Sequence, residues 1–329
     1  MGDSQKNIPA ISVLMSVYND ERFLRESISS ILNQDCSDFE FLIFDDASSD
    51  RSWDILQEFV RKDDRIRLFH NEKNIGLTAT LNRGLEKAMG KYIARMDADD
   101  ISLPNRFSLQ YQFLEEHPEI FLCSGATEMI DESGNSLRIL EPILEESALQ
   151  KRLEKKCCLQ HPSIFFRKSD IRYREKFLYA QDYDLYTRIL TSGKRISCLS
   201  DLLLKYRVRK TSLSFSRMAH QKLFAQKATE FFRMRREKNT DEYDAFNPHD
   251  ILALDPTSSL DPVVMMTNMK AFFAISDFRS LRKECLRFFR AHGFKLLPVL
   301  FFLLSFLGAR FSRLLLKYLP IAFLRKWNE

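Results

Sequence analysis

Asp97-Ala98-Asp99-Asp100 places three carboxylates within four residues. Asp97 and Asp99 offer hard oxygen atoms of the kind that suit Mg2+ or Mn2+. Asp45 and Asp46 form a second acidic pair. A carboxylate such as Asp46 can accept a hydrogen bond from the N–H edge of a base. Tyr18, next to Asn19, offers a flat ring on which a base could stack. With 45 acids in 329 residues, a lone D-x-D says little. Only the placement of these groups in the fold gives them weight.

The elements around them supply that placement. Ile11 to Val17 is a short apolar run ending at Tyr18-Asn19-Asp20. Arg22 to Leu32 carries apolar residues at helical spacing. Phe39 to Phe44 predicts a second buried strand, ending at Asp45-Asp46. Asp50 suits the N-cap of a helix from Ser52 to Val60. Ile66 to Phe69 predicts a third strand, and Leu77 to Ala88 a third helix with Gly90 as its C-cap. Tyr92 to Met96 is the fourth strand, and Asp97 stands at its end. Alternating strands and helices of this length predict βαβ units on a parallel sheet. Ligands bind at the carboxyl ends of such strands, so Tyr18, Asp46, Asp97 and Asp99 are expected in one crevice. No G-x-G-x-x-G or G-x-x-x-x-G-K-[ST] follows the first strand, which excludes the common glycine cradles for phosphate. Phosphates are then expected to be held through a metal.

Composition sets broad limits. At 45% hydrophobic and 29% charged residues, the chain is neither disordered nor a polytopic membrane protein. The net charge of +5 is uneven: from Arg279 onward eleven Lys/Arg face two acids, leaving the remainder at −4. A basic tail on an acidic body points to an anionic surface as partner. The six cysteines form no C-x-x-C pair or zinc spacing, and Cys157 and Cys158 are adjacent. They read as thiols in a reducing cytoplasm. The first ten residues lack the apolar core of a secretory signal.

Four segments, Ile11–Asn19, Asp38–Asp50, Asn74–Gly84 and Gly90–Arg106, together resemble the family 2 inverting glycosyltransferases of the GT-A fold. Weaker similarity continues to about residue 215. The resemblance implies a nucleotide-sugar donor, with Tyr18 stacked on the base and Asp46 reading it. Asp97 would lie near the ribose or the metal, and Asp99 would ligate the metal bridging the donor diphosphate. That metal, Mn2+ or Mg2+, would neutralise charge on the leaving nucleoside diphosphate.

The family also carries an acid at the start of a helix that takes the proton of the acceptor hydroxyl. Here the matching run is Gln181-Asp182-Tyr183-Asp184-Leu185, which implies Asp182 as the base. Gln181 stands where glutamate is frequent, and Asp184 is expected to turn elsewhere. His161-Pro162-Ser163 resembles a segment on the acceptor side. Leu204–Ser214 resembles the closing segment, with Arg209 in the place where some members have a metal-binding histidine. Arginine cannot ligate a metal, so Arg207, Arg209 or Lys210 is expected to contact the diphosphate directly.

The last third reads as helical, with a polar linker over 237–250 and a break at Pro256–Ser259. Leu281 to Ala291 has Leu281, Cys285, Phe288 and Phe289 on one face and cations on the others. Leu296 to Leu307 is almost wholly apolar, and Arg310, Arg313 and Lys317 follow on one stripe. Twelve helical residues span about 18 Å, short of the roughly 30 Å hydrocarbon core. Interfacial attachment to an anionic membrane is the expectation. Helices packing on one another, or on a second subunit, are the alternative. No nucleic-acid motif accompanies the charge.

The sequence therefore predicts an α/β chain: a GT-A domain over 1–215, with a Rossmann-like, mostly parallel sheet flanked by helices, and an all-helical, membrane-associating region over 216–329. Its nucleotide-sugar half spans about 10–101 and its acceptor half 102–215. The expected enzyme is a metal-dependent, inverting glycosyltransferase on the inner face of the plasma membrane. Its expected donor is a UDP-sugar, and its acceptor a saccharide or lipid-linked saccharide of cell-surface polysaccharide or lipopolysaccharide biosynthesis. A silent, nucleotide-sugar-binding member and a nucleotidyltransferase are the rivals.

Overall fold

A computed structural model describes residues 8–209, 215–253, 262–274 and 277–307. Lys210, the break at 256–259 and the basic stripe from Arg310 to Lys317 lie outside the described residues. The chain forms two compact units. The first runs through Arg209 and adds Ala225–Phe246; the second takes the described residues of Lys210–Phe224 and Asn247–Glu329.

The first unit begins with strands β1 (Ile11–Val17), β2 (Phe39–Asp45), β3 (Ile66–His70) and β4 (Tyr92–Asp97). They are parallel, in the order β3-β2-β1-β4. Helices α1 (Leu24–Leu32), α2 (Ser52–Val60) and α3 (Leu77–Lys87) connect them. Alternate residues of β1 enter two cores: Val13 and Met15 pack on one face of the sheet, Leu14 on the other. Burial on both faces explains why these strands read as unbroken apolar runs. Asp50 is not the N-cap of α2, a position that Arg51 takes; one residue earlier, it still accepts from the Ser52 N–H at 2.9 Å.

Gly90 has a different reason from the expected one. It is not a left-handed cap; α3 ends at Ala88 in extended conformation. A Cβ at Gly90 would stand 2.6 Å from the Ser12 nitrogen. Glycine is required there because the chain passes directly against β1.

The sheet continues through β5 (Ile101–Ser102), β6 (Ile120–Ile130), β7 (Ser136–Leu140), β8 (Phe165–Arg167) and β9 (Arg195–Arg207). The remaining order is β4-β8-β6-β9-β5, with β7 on β6. Here the expectation of a mostly parallel sheet needs correction. β8 is antiparallel to both β4 and β6, while β9 is parallel to β6. The chain enters β8 from the short 3-10 turn His161–Ser163, so it runs back along β4 instead of beside it in parallel. Helices α4 (Arg106–Glu116), α5 (Glu146–Leu153) and α6 (Gln181–Thr191) complete this half.

A cut at residue 215 also differs from the observed units. Helix α7 (Phe215–Lys238) places its residues from Ala225 onward in the first unit. The polar stretch after it is held against that unit: Asp241 pairs with Arg174 at 2.7 Å and with Arg235. Tyr243 lies nearly parallel to Phe177, with ring centroids 6.4 Å apart.

After the short helix α8 (Pro248–Leu252), the second unit contains α9 (Pro262–Ala274), α10 (Phe278–His292) and α11 (Leu296–Leu304). Leu281, Cys285 and Phe288 of α10 pack with Met265, Met269 and Phe273 of α9 and Phe301 and Leu304 of α11. The apolar face of α10 is thus spent inside this unit. No helix among the described residues is long and apolar enough to cross a membrane.

Candidate active site

Strand register brings the acids together. Val17 is level with Asp45, and Ser16 with Asp97. The carboxyl ends of β2, β1 and β4 therefore present Asp45-Asp46, Tyr18-Asn19 and Asp97 side by side. Asn19 and Ala47 take left-handed φ of 55° and 60°, turning the chain sharply off β1 and β2. Asn19 Oδ1 then accepts from the Ser49 N–H at 2.8 Å, tying the two loops together.

Asp46 is buried, and most of its carboxylate is in use. Oδ1 accepts from the Asn71 amide at 2.7 Å and the Ile75 N–H at 2.9 Å; Oδ2 accepts from the Gly76 N–H at 2.9 Å. A carboxylate has about four acceptor positions, so one on Oδ2 remains for a ligand donor. Arg83 bonds the oxygen of the same Asn71 and fixes which way its amide faces. Tyr18 is 49% exposed, unusual for a tyrosine beside a strand end and suited to a flat partner.

Asp97, Asp99 and Asp100 each place a carboxylate oxygen within 4.8 Å of the others. Asp100 is fully buried; its Oδ1 accepts from the Arg207 N–H at 2.7 Å, and its Oδ2 has no partner among the described residues. Burial, then the charges of Asp97 and Asp20, push the Asp99 carboxyl up to about 7, with Arg209 opposing. Burial, then Asp97 and Asp99, lift Asp100 well above the usual carboxylate range. Three crowded carboxylates with an orphaned buried oxygen fit a divalent cation. Sequence reasoning selected Asp97 and Asp99 and missed Asp100, which read as part of the same turn.

The expected arginines separate. Arg209 bonds Asp20 and lies 3.4 Å from Asp99 Oδ2, so it borders the acidic cluster. Arg207 does not fit a diphosphate contact, which corrects the sequence expectation. Its side chain is 2% exposed and donates to the Asp99 carbonyl at 2.8 Å and Glu26 at 2.6 Å. It also stacks on Phe23, 4.4 Å from the ring centroid. Buried and committed, it holds the loop that carries the acids.

Asp182 lies in the first turn of α6, which starts after Ala180 in left-handed conformation. Its carboxylate is partly buried, and Cys157 Sγ lies 3.7 Å from Oδ2. Burial raises this carboxyl above the usual range; backbone N–H groups and the charge of Arg95 pull it back. Asp184 turns elsewhere, as expected: it is buried and bonded to Arg188 Nε at 2.9 Å. His161 is structural, buried with its Nε2 2.7 Å from the Tyr173 hydroxyl.

Residues 12–174 match the model for glycosyl transferase family 2. An uncharacterised glycosyltransferase of Methanocaldococcus jannaschii is 36% identical over 223 residues, 66% of this chain and 77% of that relative. The chain belongs to glycosyl transferase family 2. It is therefore a glycosyltransferase. The O-antigen biosynthesis glycosyltransferase WbnJ of Escherichia coli is 32% identical, spanning 70% of this chain and 92% of that protein. The amylovoran biosynthesis glycosyltransferase AmsE of Erwinia amylovora is 32% identical over 60% of this chain and 75% of its own length. In fold, the crystal structure of S. aureus TarS 1-349 in complex with UDP-GlcNAc superposes with a TM-score of 0.53 at 18% identity. It covers 86% of this chain and 88% of that one, which establishes a GT-A-like architecture.

Arg95 of this transferase escaped the sequence reading. It is buried on β4, pairs with Asp97, and has two nitrogens, Nε and Nη1, without partners among the described residues. Its charge acts on Asp97 and Asp182 alike. A buried arginine two residues before the acids was a signal, because arginine is seldom buried unpaired. Cys157 gave no comparable signal; its neighbour Asp182 is 25 residues away.

Proposed function

We propose that this glycosyltransferase is inverting and metal-dependent, and moves a sugar from a UDP-sugar to a hydroxyl of a saccharide or lipid-linked acceptor. The observation that carries the reading is the cluster of Asp97, Asp99 and Asp100 at the strand end, with the Tyr18–Asp46 pocket beside it. Tyr18 stacks on the base, and the open lone pair on Asp46 Oδ2 takes the uracil N–H. TarS, whose structure holds UDP-GlcNAc, supports UDP as the nucleotide. Asp97, Asp99 and Asp100 would hold Mn2+ or Mg2+. When bound, that cation supplies positive charge against the charge building on the diphosphate. Arg209 adds a fixed positive charge at Asp99.

Asp182 takes the proton from the acceptor hydroxyl. The acceptor oxygen then forms a bond to the anomeric carbon on the face opposite the diphosphate. The bond from that carbon to the diphosphate oxygen breaks, and the nucleoside diphosphate leaves with the electron pair. Burial keeps Asp182 more basic than an exposed aspartate, which suits proton abstraction.

The named relatives act in O-antigen and amylovoran biosynthesis. They support cell-surface polysaccharide, or lipopolysaccharide, as the product class. The second unit supports a place at the cytoplasmic membrane surface. Phe294, Leu296, Leu303, Phe306 and Leu307 are exposed in this unit, as are the cations Lys283, Arg290 and Lys295. A membrane would cover this apolar surface and attract the charge.

The test is nucleoside-diphosphate release by purified protein with Mn2+, a panel of UDP-, GDP- and dTDP-sugars, and lipid extract. Release is expected with a UDP-sugar, and is expected to vanish on chelation and in Asp182→Asn. Donor binding without release across all acceptors would instead favour a silent binding member.

A further inference from the structure

Cys157 touches the carboxylate that the reaction needs free. Its Sγ lies 3.7 Å from Asp182 Oδ2 and 3.6 Å from the Leu159 carbonyl oxygen. A thiol carries one proton and can donate it fully to only one of these. An ionised carboxylate is the stronger acceptor; once protonated it loses that advantage over a neutral carbonyl. Burial, then the charge of Asp182, raises the Cys157 thiol well above its ordinary value, so it stays a donor in the working pH range.

We propose that Cys157 is a positioning residue for the base: its S–H holds the ionised Asp182 carboxylate by Oδ2 and turns to the Leu159 carbonyl when Asp182 takes the acceptor proton. The inference rests on Asp182 being the base. Besides Cys157, the titratable groups among the described residues whose charge acts on this carboxylate are Arg95 from β4, Tyr173 from the preceding loop, and Tyr186 on its own helix. Tyr173 and Tyr186 are neutral, their hydroxyls held well above the usual phenol range chiefly by burial. That leaves Arg95 as the fixed charge and Cys157 as the adjustable donor. Nothing at Cys157 touches the cation-binding acids in any described contact, so a change there reports on the base alone.

The experiment is the pH profile of kcat/KM at saturating Mn2+ for the parent, Cys157→Ala, Cys157→Ser and Asp182→Asn, with Cys158→Ala as control. Removing a donor from an ionised carboxylate raises its pKa. The acidic limb of Cys157→Ala is therefore expected to move up by about half a pH unit, about threefold in kcat/KM below the limb. Donor KM should hold, and Cys157→Ser, which keeps a donor, should restore the parent limb. If Cys157→Ala fails to fold, Cys157→Val supplies the same loss of donor at similar volume. A limb unmoved in the Ala or Val variant overturns the proposal. So does a Cys157→Ser limb displaced as far as that of Ala, since volume and not donation would then matter. Full turnover in Asp182→Asn removes the base assignment itself, a different failure read on a different variant.

Discussion

The first unit buries charge and matches it in place. Arg95 is set against Asp97, Arg207 against Glu26, and Arg209 against Asp20 and Asp99. The excess left at the strand ends is negative, in three crowded carboxylates. The second unit buries apolar side chains instead, and its buried acid Glu284 is answered by Asn268 at 2.8 Å and Arg287 at 2.6 Å. Its excess is positive and lies at the surface, beside exposed phenylalanines and leucines. One region gathers its excess charge into a fixed cluster, which suits the cation proposed above. The other presents a broad surface whose partner needs no single geometry.

The sharpest way to break this contrast is at the acids. Asp99→Asn should lower turnover by about a hundredfold or more, as loss of a group that stabilises developing charge does. Nucleotide release, together with Mn2+-dependent donor binding, checks it; unchanged Mn2+ dependence would remove the cation site. The helical unit should respond differently. Leu303→Asp with Phe306→Asp changes only exposed positions, so folding should hold. Each side chain is worth about 1.5–3 kcal/mol on burial, so sedimentation with anionic vesicles should fall more than tenfold. Turnover on a soluble acceptor should stay level. Equal binding to vesicles would assign the patch to another copy of the chain or to another protein.

Stability effects are smaller. Arg207→Met takes the donor from the Asp99, Asp131 and Glu132 carbonyls, while the exposed Glu26 carboxylate turns to water, and should cost about 1–3 kcal/mol, read by denaturant unfolding. If the cost is negligible and donor affinity falls instead, Arg207 has a ligand role after all. The smallest effect is a pH dependence. In chelator, Asp99 has a folded pKa near 7, above its unfolded value. The folded state then holds the extra proton between those values. Its contribution to stability is full in acid and lost as pH rises through 7. The melting temperature without metal should therefore decline from about pH 4 to pH 7 and level off above it, and Asp99→Asn should flatten that decline.

Much of this was legible in the chain. The strands up to Asp97 fell within a residue or two of their expected ends, because apolar runs buried on both faces are local patterns. The carboxyl ends of parallel strands follow from chain direction, so Tyr18, Asp46, Asp97 and Asp99 could be placed together beforehand. Asp184's turn away from the site was also readable. The mixed second half of the sheet was not, since strand direction beyond β4 depends on how the 3-10 turn returns the chain. The linker over 237–250 looked detached because its composition is polar. Its tie to Arg174 joins residues 67 apart, beyond any local pattern.

Sequence alone determined which chemistry was available: hard oxygen ligands, an exposed ring, an acid opening a helix, and a basic, apolar tail. These depend on residue type and short spacing. Only the tertiary structure decided how each group is employed. It committed Arg207 to Glu26 across 181 residues, brought Asp100 into the cluster, and set Cys157 on Asp182. It also used the apolar face of α10 inside its own unit and left a different surface on α11 exposed. The physical reason is that a side chain's hydrogen bonds and burial are set by whatever the fold brings within a few ångströms, and sequence distance does not limit that.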